Sequence, residues 1–162
     1  MGGRLETFGP VCGARPGDNV GGMIEDTRLG TVLGENECWR LLGSVALGRL
    51  VTTVDGEPEI FPVNFVAQHR TILFRTGEGT KLAGSAMNSQ VLFEADDHTV
   101  GEGWSVIVRG SAGTPKTDDE LQDAERAGLY PWTSTSKPHF VRIRPLRVTG
   151  RHFVFGPKSV RA

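Results

Sequence analysis

Apolar and polar residues alternate with a period of two along most of the chain after residue 48, the pattern of half-buried β-strands. Two tight turns divide the first part of this region. Asp55-Gly56 is a strong two-residue hairpin signal, and a second turn is predicted at 68–70. The first three strands therefore form an antiparallel meander. The predicted strands are Arg49–Val54, Glu59–Val66, Thr71–Thr76, Gln90–Ala95, Trp104–Gly110, Phe140–Arg144, Arg147–Thr149 and His152–Phe155.

Helical patterns are fewer and shorter than the strand patterns. The first covers residues 34–42, with acids in its first turn, Asn36 as the predicted N-cap and an end at Gly43 or Gly48. Strands in runs with few helices indicate a mainly β (α+β) barrel of about six to seven antiparallel strands, not a doubly wound α/β fold. Two further short helices are predicted, over Leu82–Met87 and from Thr117 to about Ala127.

Composition limits the function classes. The chain has 162 residues, 38% of them hydrophobic and 23% charged, which is the balance of a single globular domain. The 18 Lys and Arg against 19 Asp and Glu give a net charge of −1, so no global positive field would attract nucleic acid. No run approaches the ~20 apolar residues of a membrane span, and a signal-peptide core is absent. We therefore expect a cytoplasmic protein without nucleic-acid or membrane partners.

The chain is expected to contain one domain with two loose ends. Glycine and proline punctuate residues 1–30, where little apolar material could anchor the chain. This segment is predicted to be a disordered tail, and docking of the tail on a partner is the alternative. Residues 31–156 form the folded domain, and residues 157–162 are a loose C-terminus.

Metal and hydrolytic chemistry find little support. Cys12 and Cys38 are predicted to be free thiols, since neither their spacing nor nearby histidines suggest zinc. The four histidines belong to no HExxH motif, and no GxSxG motif occurs. The adjacent Asp96-Asp97 pair is typical of a solvated turn. We therefore expect no metal site and no hydrolytic triad.

The segment Gly77–Lys81 is the strongest local candidate for a ligand site. It leads from a strand end through two glycines to a predicted helix start, where exposed amides favour an anion. The hydroxyl of Thr80, the charge of Lys81 and the guanidinium of Arg75 would suit a phosphate monoester. The residue order of a P-loop is absent. An ordinary strand–turn–helix with surface charges explains the same residues.

A proline interrupts the second predicted strand at Pro62-Val63-Asn64, where it removes one donor from the ladder. In the plainer interpretation this is a kinked edge strand and Asn64 is a satisfied core amide. In the functional interpretation, backbone groups outside the ladder contact a flat polar ring. Trp104 and Trp132 likewise either cover an aromatic ligand or pack in the core or a dimer interface.

In order and spacing, the motifs of the chain resemble the pyridoxamine 5′-phosphate oxidase-like family of FMN-binding split β-barrels. The resemblance spans roughly residues 33–155. It implies a split β-barrel of the FMN-binding type that forms a homodimer, with two FMN sites at the subunit interface. The segments that carry it are Cys38–Leu42, Gly48–Thr52, Pro62–Phe65, Leu73–Leu82, Gly103–Gly110 and Thr149–Arg151.

The resemblance also implies roles for individual residues. The strand 61–64 is similar to the segment that lies along the isoalloxazine ring. The strand end 75–76 and the loop 80–81 are similar to the ribityl phosphate site, in a loop one residue shorter than in the oxidase itself. Ser105 takes the place of a polar residue that contacts the ring from the partner subunit. The implied cofactor-binding residues are Phe61, Pro62, Val63, Asn64, Arg75, Thr76, Thr80, Lys81, Leu82, Trp104 and Ser105.

The implied function is a flavin-dependent oxidoreductase acting on an unidentified small molecule, with no catalytic side chain assigned. The C-terminal arginine–histidine segment that holds the substrate of the oxidase itself has no match here, because Arg151-His152 is similar in type but not in pattern. The alternatives are an F420-binding oxidoreductase, a non-catalytic carrier of FMN or F420, and a split barrel that has lost its cofactor. The substrate and electron donor stay open.

Overall fold

The computed structural model describes residues 30–77, 90–129 and 138–156. Within these ranges the chain forms seven β-strands and two α-helices. The strands are β1 (Thr31–Leu33), β2 (Leu47–Val54), β3 (Glu57–Gln68), β4 (Thr71–Thr76), β5 (Gln90–His98), β6 (Glu102–Gly113) and β7 (His139–Val154), and the helices are α1 (Glu35–Leu42) and α2 (Asp118–Arg126). The predicted tail, the predicted helix over Leu82–Met87, Trp132 and the C-terminus after residue 156 lie outside the described ranges.

The strands close into an antiparallel barrel. The sheet order is β1-β7-β4-β3-β2-β5-β6. β6, at one end of this order, also pairs with β7 near the other end, and this pairing closes the barrel. On its other edge, β7 pairs first with β4 and then, near its C-terminal end, with the short β1. Closure removes most exposed strand edges. The predicted mainly β barrel with few, short helices is confirmed.

Both predicted tight turns are present, and the two central residues of each have positive φ, as type I′ turns require. Asp55 and Gly56 connect β2 to β3, and His69 and Arg70 connect β3 to β4. A left-handed conformation is unfavourable for most residues other than glycine. Arg70 stabilises the second turn by an ion pair with Glu35 (3.1 Å), which joins the turn to the start of α1.

The closing part of the barrel differs from the sequence prediction. The three strands predicted between residues 140 and 155 are one continuous strand, β7. The register with β6 slips between Arg109 and Gly110, which oppose Arg147 and Pro145, so Leu146 is an extra residue. A bulge admits a proline without ending the strand. The prediction of three separate strands was therefore wrong, because the bulge accommodates Pro145 within one continuous strand.

The two helices are capped in different ways. At α1 the N-cap is Gly34, which makes no side-chain cap hydrogen bond, so the prediction of Asn36 as the cap was wrong. Asn36 lies in the first turn instead, and α1 ends at Gly43 as predicted. At α2 the hydroxyl of Thr117 accepts a hydrogen bond from the N–H of Glu120 (3.2 Å), which confirms the predicted helix start.

The core fills the barrel interior and continues beneath α1. Phe65 and Phe93 are buried and meet edge to face, with ring centroids 4.7 Å apart. Gly48 on β2 lies against the second ring, and a Cβ atom at this glycine would stand 2.3 Å from Cζ of Phe93. Here the packing of an aromatic ring requires glycine.

Gly48→Ala is expected to lower the free energy of unfolding by about 1–3 kcal/mol, the usual cost of overpacking a core. The new methyl group would collide with the ring of Phe93 and with the carbonyl of Glu94, 2.9 Å away. Urea unfolding checks this result. Gly101→Ala is the control, because a Cβ at Gly101 would meet nothing within 4 Å. Equal midpoints for the two variants would contradict the packing described.

Candidate flavin site

The first part of β3, residues 57–64, extends beyond the end of the neighbouring strand β4. β2 pairs with β3 from Glu57 to Asn64, whereas β4 pairs with it only from Phe65 to Gln68. No other strand in the described ranges pairs with β3. We call the side of residues 57–64 that faces away from β2 the β3 edge. Such an edge can receive a ligand along the backbone.

Pro62 lies with its nitrogen on the β3 edge. Phe65 donates its backbone N–H to a carbonyl oxygen just before β2 (2.9 Å). Because the direction of backbone groups alternates along a strand, those of Phe61 and Val63 also face β2, while those of Pro62 and Asn64 face the edge. The register with β2 runs through Pro62 without a bulge. The proline therefore removes no hydrogen bond from the β2–β3 ladder.

The four side chains predicted along the ring divide between the two faces of the barrel wall. Val63 is buried in the core and Phe61 packs against it. Pro62 is exposed and Asn64 is buried, and both belong to the outer face by the alternation of the strand. A ligand on the outer face would therefore meet Pro62, Asn64 and the backbone of the β3 edge.

Arg75 stands at the end of β4, beside this edge. The pairing of Phe65 with Phe74 places Arg75 next to Asn64 by continuation of the register. Its guanidinium lies over the ring of Phe140 on β7, 4.8 Å from the centroid. Its Nε is buried and has no hydrogen-bond partner in the described ranges. A buried donor without a partner is unfavourable, so this nitrogen is a position where an anion would be stabilised.

The rest of the predicted phosphate site is only partly described. Thr76 is buried, and its hydroxyl donates to the carbonyl of Gly77 (3.5 Å). Thr80, Lys81 and Leu82 lie outside the described residues. Their predicted role therefore stays a prediction, and Arg75 and Thr76 are the members of the predicted phosphate site that lie in the described ranges.

Ser105 belongs to a polar network on the outer face of β2, β5 and β6. Its hydroxyl donates to Glu94 (3.2 Å), which in turn accepts from Arg49 (3.1 Å). Arg49 also pairs with Asp96. The hydrogen bond with Asp96, then the charges of both acids, raise the pKa of the Arg49 guanidinium. The network holds Ser105 in place, and the single charge of Arg49 balances one of the two acids beside it.

The described site residues fall into two groups: Pro62, Asn64 and Arg75 lie together at the β3 edge, and Ser105 lies on β6. Arg75 pairs with Phe140 near the start of β7, whereas Ser105 pairs with Arg151 near its end. β7 is sixteen residues long, and an extended chain rises about 3.3 Å per residue. Arg75 and Ser105 therefore lie toward opposite ends of β7.

Trp104 lies at a further cavity of about 450 Å³ between α1 and the β5–β6 turn. His152 and Glu102 line the same cavity, with the imidazole Nε2 3.1 Å from the carboxylate. The sequence alone indicates no role for this pair, because its members are distant in sequence and the β6–β7 register brings them together. Trp104 also packs against the core cluster, so its predicted contact with a ligand stays a prediction.

Among the residues described, no group of three or more His, Cys, Asp or Glu side chains could hold a metal ion. No helix within the described ranges is long and apolar enough to cross a membrane. Cys38 is on the buried face of α1, and burial raises the pKa of its thiol.

The sequence of the barrel matches a known protein family. Residues 34–152 match the family described as pyridoxamine 5′-phosphate oxidase. The chain belongs to this family, and the predicted split-barrel fold is confirmed.

The chain is similar in sequence to two proteins of known structure and to one further relative. The FAD-binding protein from Mycobacterium smegmatis is 61% identical; the match covers 78% of this chain and all of that one, with a TM-score of 0.72. A Corynebacterium glutamicum protein is 43% identical over 79% of this chain and 96% of its own, with a TM-score of 0.71. A Mycobacterium tuberculosis protein is 54% identical over 97 residues, which are 60% of this chain and 88% of that protein.

Proposed function

We propose that this protein binds a flavin nucleotide on the outer face of the barrel, with the phosphate at Arg75 and the ring along the β3 edge. The observation that carries the proposal is the buried Nε of Arg75, which has no partner in the described ranges. Family membership and the FAD-binding relative at 61% identity support it.

The described residues fit the two parts of a flavin nucleotide. A guanidinium held over Phe140 is fixed in orientation, and it donates charge-assisted hydrogen bonds to phosphate oxygens. The β3 edge presents backbone groups beside it, which suit the polar edge of a flat ring. Thr80 and Lys81 would complete the phosphate site, as predicted from the sequence.

FMN, predicted from the sequence, and FAD share the ring and the first phosphate. The 61% identical FAD-binding protein supports the dinucleotide as the natural ligand. F420 is the alternative ligand. A protein that binds F420 more tightly than FMN and FAD would support this alternative.

We further propose that the protein is a homodimer whose two copies share each flavin site. The distance along β7 between Arg75 and Ser105 supports this arrangement. Leu47 and Ile60, 42% and 66% exposed, lie on the same outer face as Pro62. Exposed apolar side chains grouped on one face favour association with another chain.

When bound, a flavin supplies hydride transfer, and an oxidoreductase acting on a small molecule is the activity that we propose. The residues of this chain would hold the phosphate, orient the ring and keep water from one of its faces. No described side chain is assigned as an acid or base. The expected cytoplasmic location stays a prediction.

The test is an absorbance spectrum of the purified protein, followed by titration with FMN, FAD and F420. We expect a flavin spectrum, or tight uptake of FMN and FAD at one molecule per chain. Uptake of F420 with weak flavin binding would move the protein to deazaflavin chemistry. Failure to bind any of the three would contradict the proposal.

A further inference from the structure

The cavity of about 450 Å³ between α1 and the β5–β6 turn has the size of a small-molecule site. We call it the α1 cavity. One of its walls is a row of side chains across the sheet, in which Trp104 on β6 is directly opposite Asp97 on β5 and His152 on β7. Side chains at directly opposite positions share one face of a sheet, so these three lie side by side. All three line the cavity.

The helix α1 forms another wall of the α1 cavity. Glu37, Arg40 and Leu41 line it, and their i, i+3, i+4 spacing places them on one side of the helix. Leu33 on β1 adds a second apolar side chain to the lining. The cavity therefore combines an indole ring and two leucines with charged groups.

Carboxylates are the most frequent charged groups in this lining. Those of Glu37, Asp97 and Glu102 stand against one guanidinium, that of Arg40, and the other basic groups are imidazoles. The guanidinium is already engaged, because it donates to both carboxylate oxygens of Glu37 (2.6 and 2.9 Å). Glu102 contacts an imidazole through one oxygen only (3.1 Å). Asp97 accepts a neighbouring backbone N–H (2.8 Å) and forms no ion pair within the described ranges.

This lining suits an organic cation. An ammonium group beside an indole ring is attracted by the electrons of the ring face, and carboxylates accept charge-assisted hydrogen bonds from it. The two leucines suit an apolar body attached to the charged group. Because no group of three or more metal-ligating side chains in the described ranges could hold a metal ion, the carboxylates are arranged for a larger ligand.

We propose that the α1 cavity binds a small organic ammonium ion with an apolar body, its charged group beside Trp104, Asp97 and Glu102. The inference does not rest on the proposed function. Among the described residues that line the cavity, none belongs to the β3 edge, and Arg75 is not one of them. Ser105, the residue after Trp104, faces the opposite side of β6 by the alternation of the strand.

The experiment compares 2-phenylethylammonium with 2-phenylethanol, which has the same carbon skeleton and no charge. We expect the ammonium ion to bind about tenfold more tightly than the alcohol. NMR of the indole N–H groups follows the titration, and the signal that shifts should be the one that is missing from Trp104→Leu. The affinity for the ammonium ion should be the same in the presence and absence of FMN.

Asp97→Asn removes one charge from the cavity and keeps the size of the side chain. It is expected to weaken binding of the ammonium ion by about three- to tenfold and to leave the alcohol unaffected. Asp119→Asn is the matched control, because this exposed acid on α2 does not line the cavity. Asp97 is itself exposed, so the variant should fold, and the NMR spectrum of each variant reports whether it does.

Equal affinity for the ammonium ion and the alcohol, or binding of neither, would overturn the proposal. Equal losses in Asp97→Asn and Asp119→Asn would also overturn it, since they would mean a general effect of charge. Competition between FMN and the ammonium ion would mean that the cavity belongs to the flavin site, which again contradicts the inference. Protein that binds the ammonium ion as expected but no flavin would contradict the proposed function alone.

Discussion

Arg75→Ala is expected to weaken FMN binding by roughly 10- to 100-fold, because a hydrogen bond to a charged group contributes about 1.5–3 kcal/mol. The side chain offers a buried Nε without a partner in the described ranges, held over Phe140. A phosphate oxygen would accept from it, and the variant loses that donor together with a positive charge.

Riboflavin separates a phosphate contact from a general defect, since it has the ring and lacks the phosphate. We expect Arg75→Ala to leave riboflavin affinity unchanged and Arg75→Lys to bind FMN with intermediate affinity. Fluorescence quenching measures both ligands. Losing the contact with Phe140 costs about 0.5–2 kcal/mol, and we expect the variant still to fold. Equal weakening of riboflavin and FMN would contradict the phosphate assignment.

Phe93→Ala is expected to lower the free energy of unfolding by about 3–5 kcal/mol, the largest effect on stability that we predict. The ring is fully buried, meets Phe65 edge to face and fills the space over Gly48. Truncation would leave a cavity bounded by two strands. Urea unfolding at a fixed protein concentration gives the measurement, since association would make stability depend on concentration.

A double-mutant cycle tests the geometry behind this value. The methyl group of Gly48→Ala collides with Phe93, so its cost should largely disappear when Phe93 is already alanine. The Gly101→Ala control should add independently to Phe93→Ala. If Gly48→Ala and Phe93→Ala were instead additive, the predicted contact between these two positions would be wrong.

The alternation of apolar residues was sufficient to predict most of the barrel because each wall has one face toward the core. The hairpin at Asp55-Gly56 followed from the preference of glycine for positive φ. β7 was divided wrongly, since Pro145 looks like a strand end unless the register slip with β6 is known. The pairing of β6 with β7, which closes the barrel, likewise has no local signal in the sequence.

The site was predicted less completely than the fold. Residue chemistry and family resemblance indicated Arg75, but its stacking on Phe140 depends on the pairing of β4 with β7. Nothing local in the sequence shows that Ser105 donates a hydrogen bond to Glu94, because this contact is created by the pairing of β5 with β6. Long-range pairing, which local patterns do not encode, accounts for both omissions.

The most direct test of a flavin shared between two copies is sedimentation velocity of the flavin-saturated protein, recorded in the visible absorption band of the flavin. We predict that the flavin sediments with a dimer at one molecule per chain, and that monomer obtained by dilution carries none. Flavin that sediments with the monomer, or with no protein at all, would contradict the account.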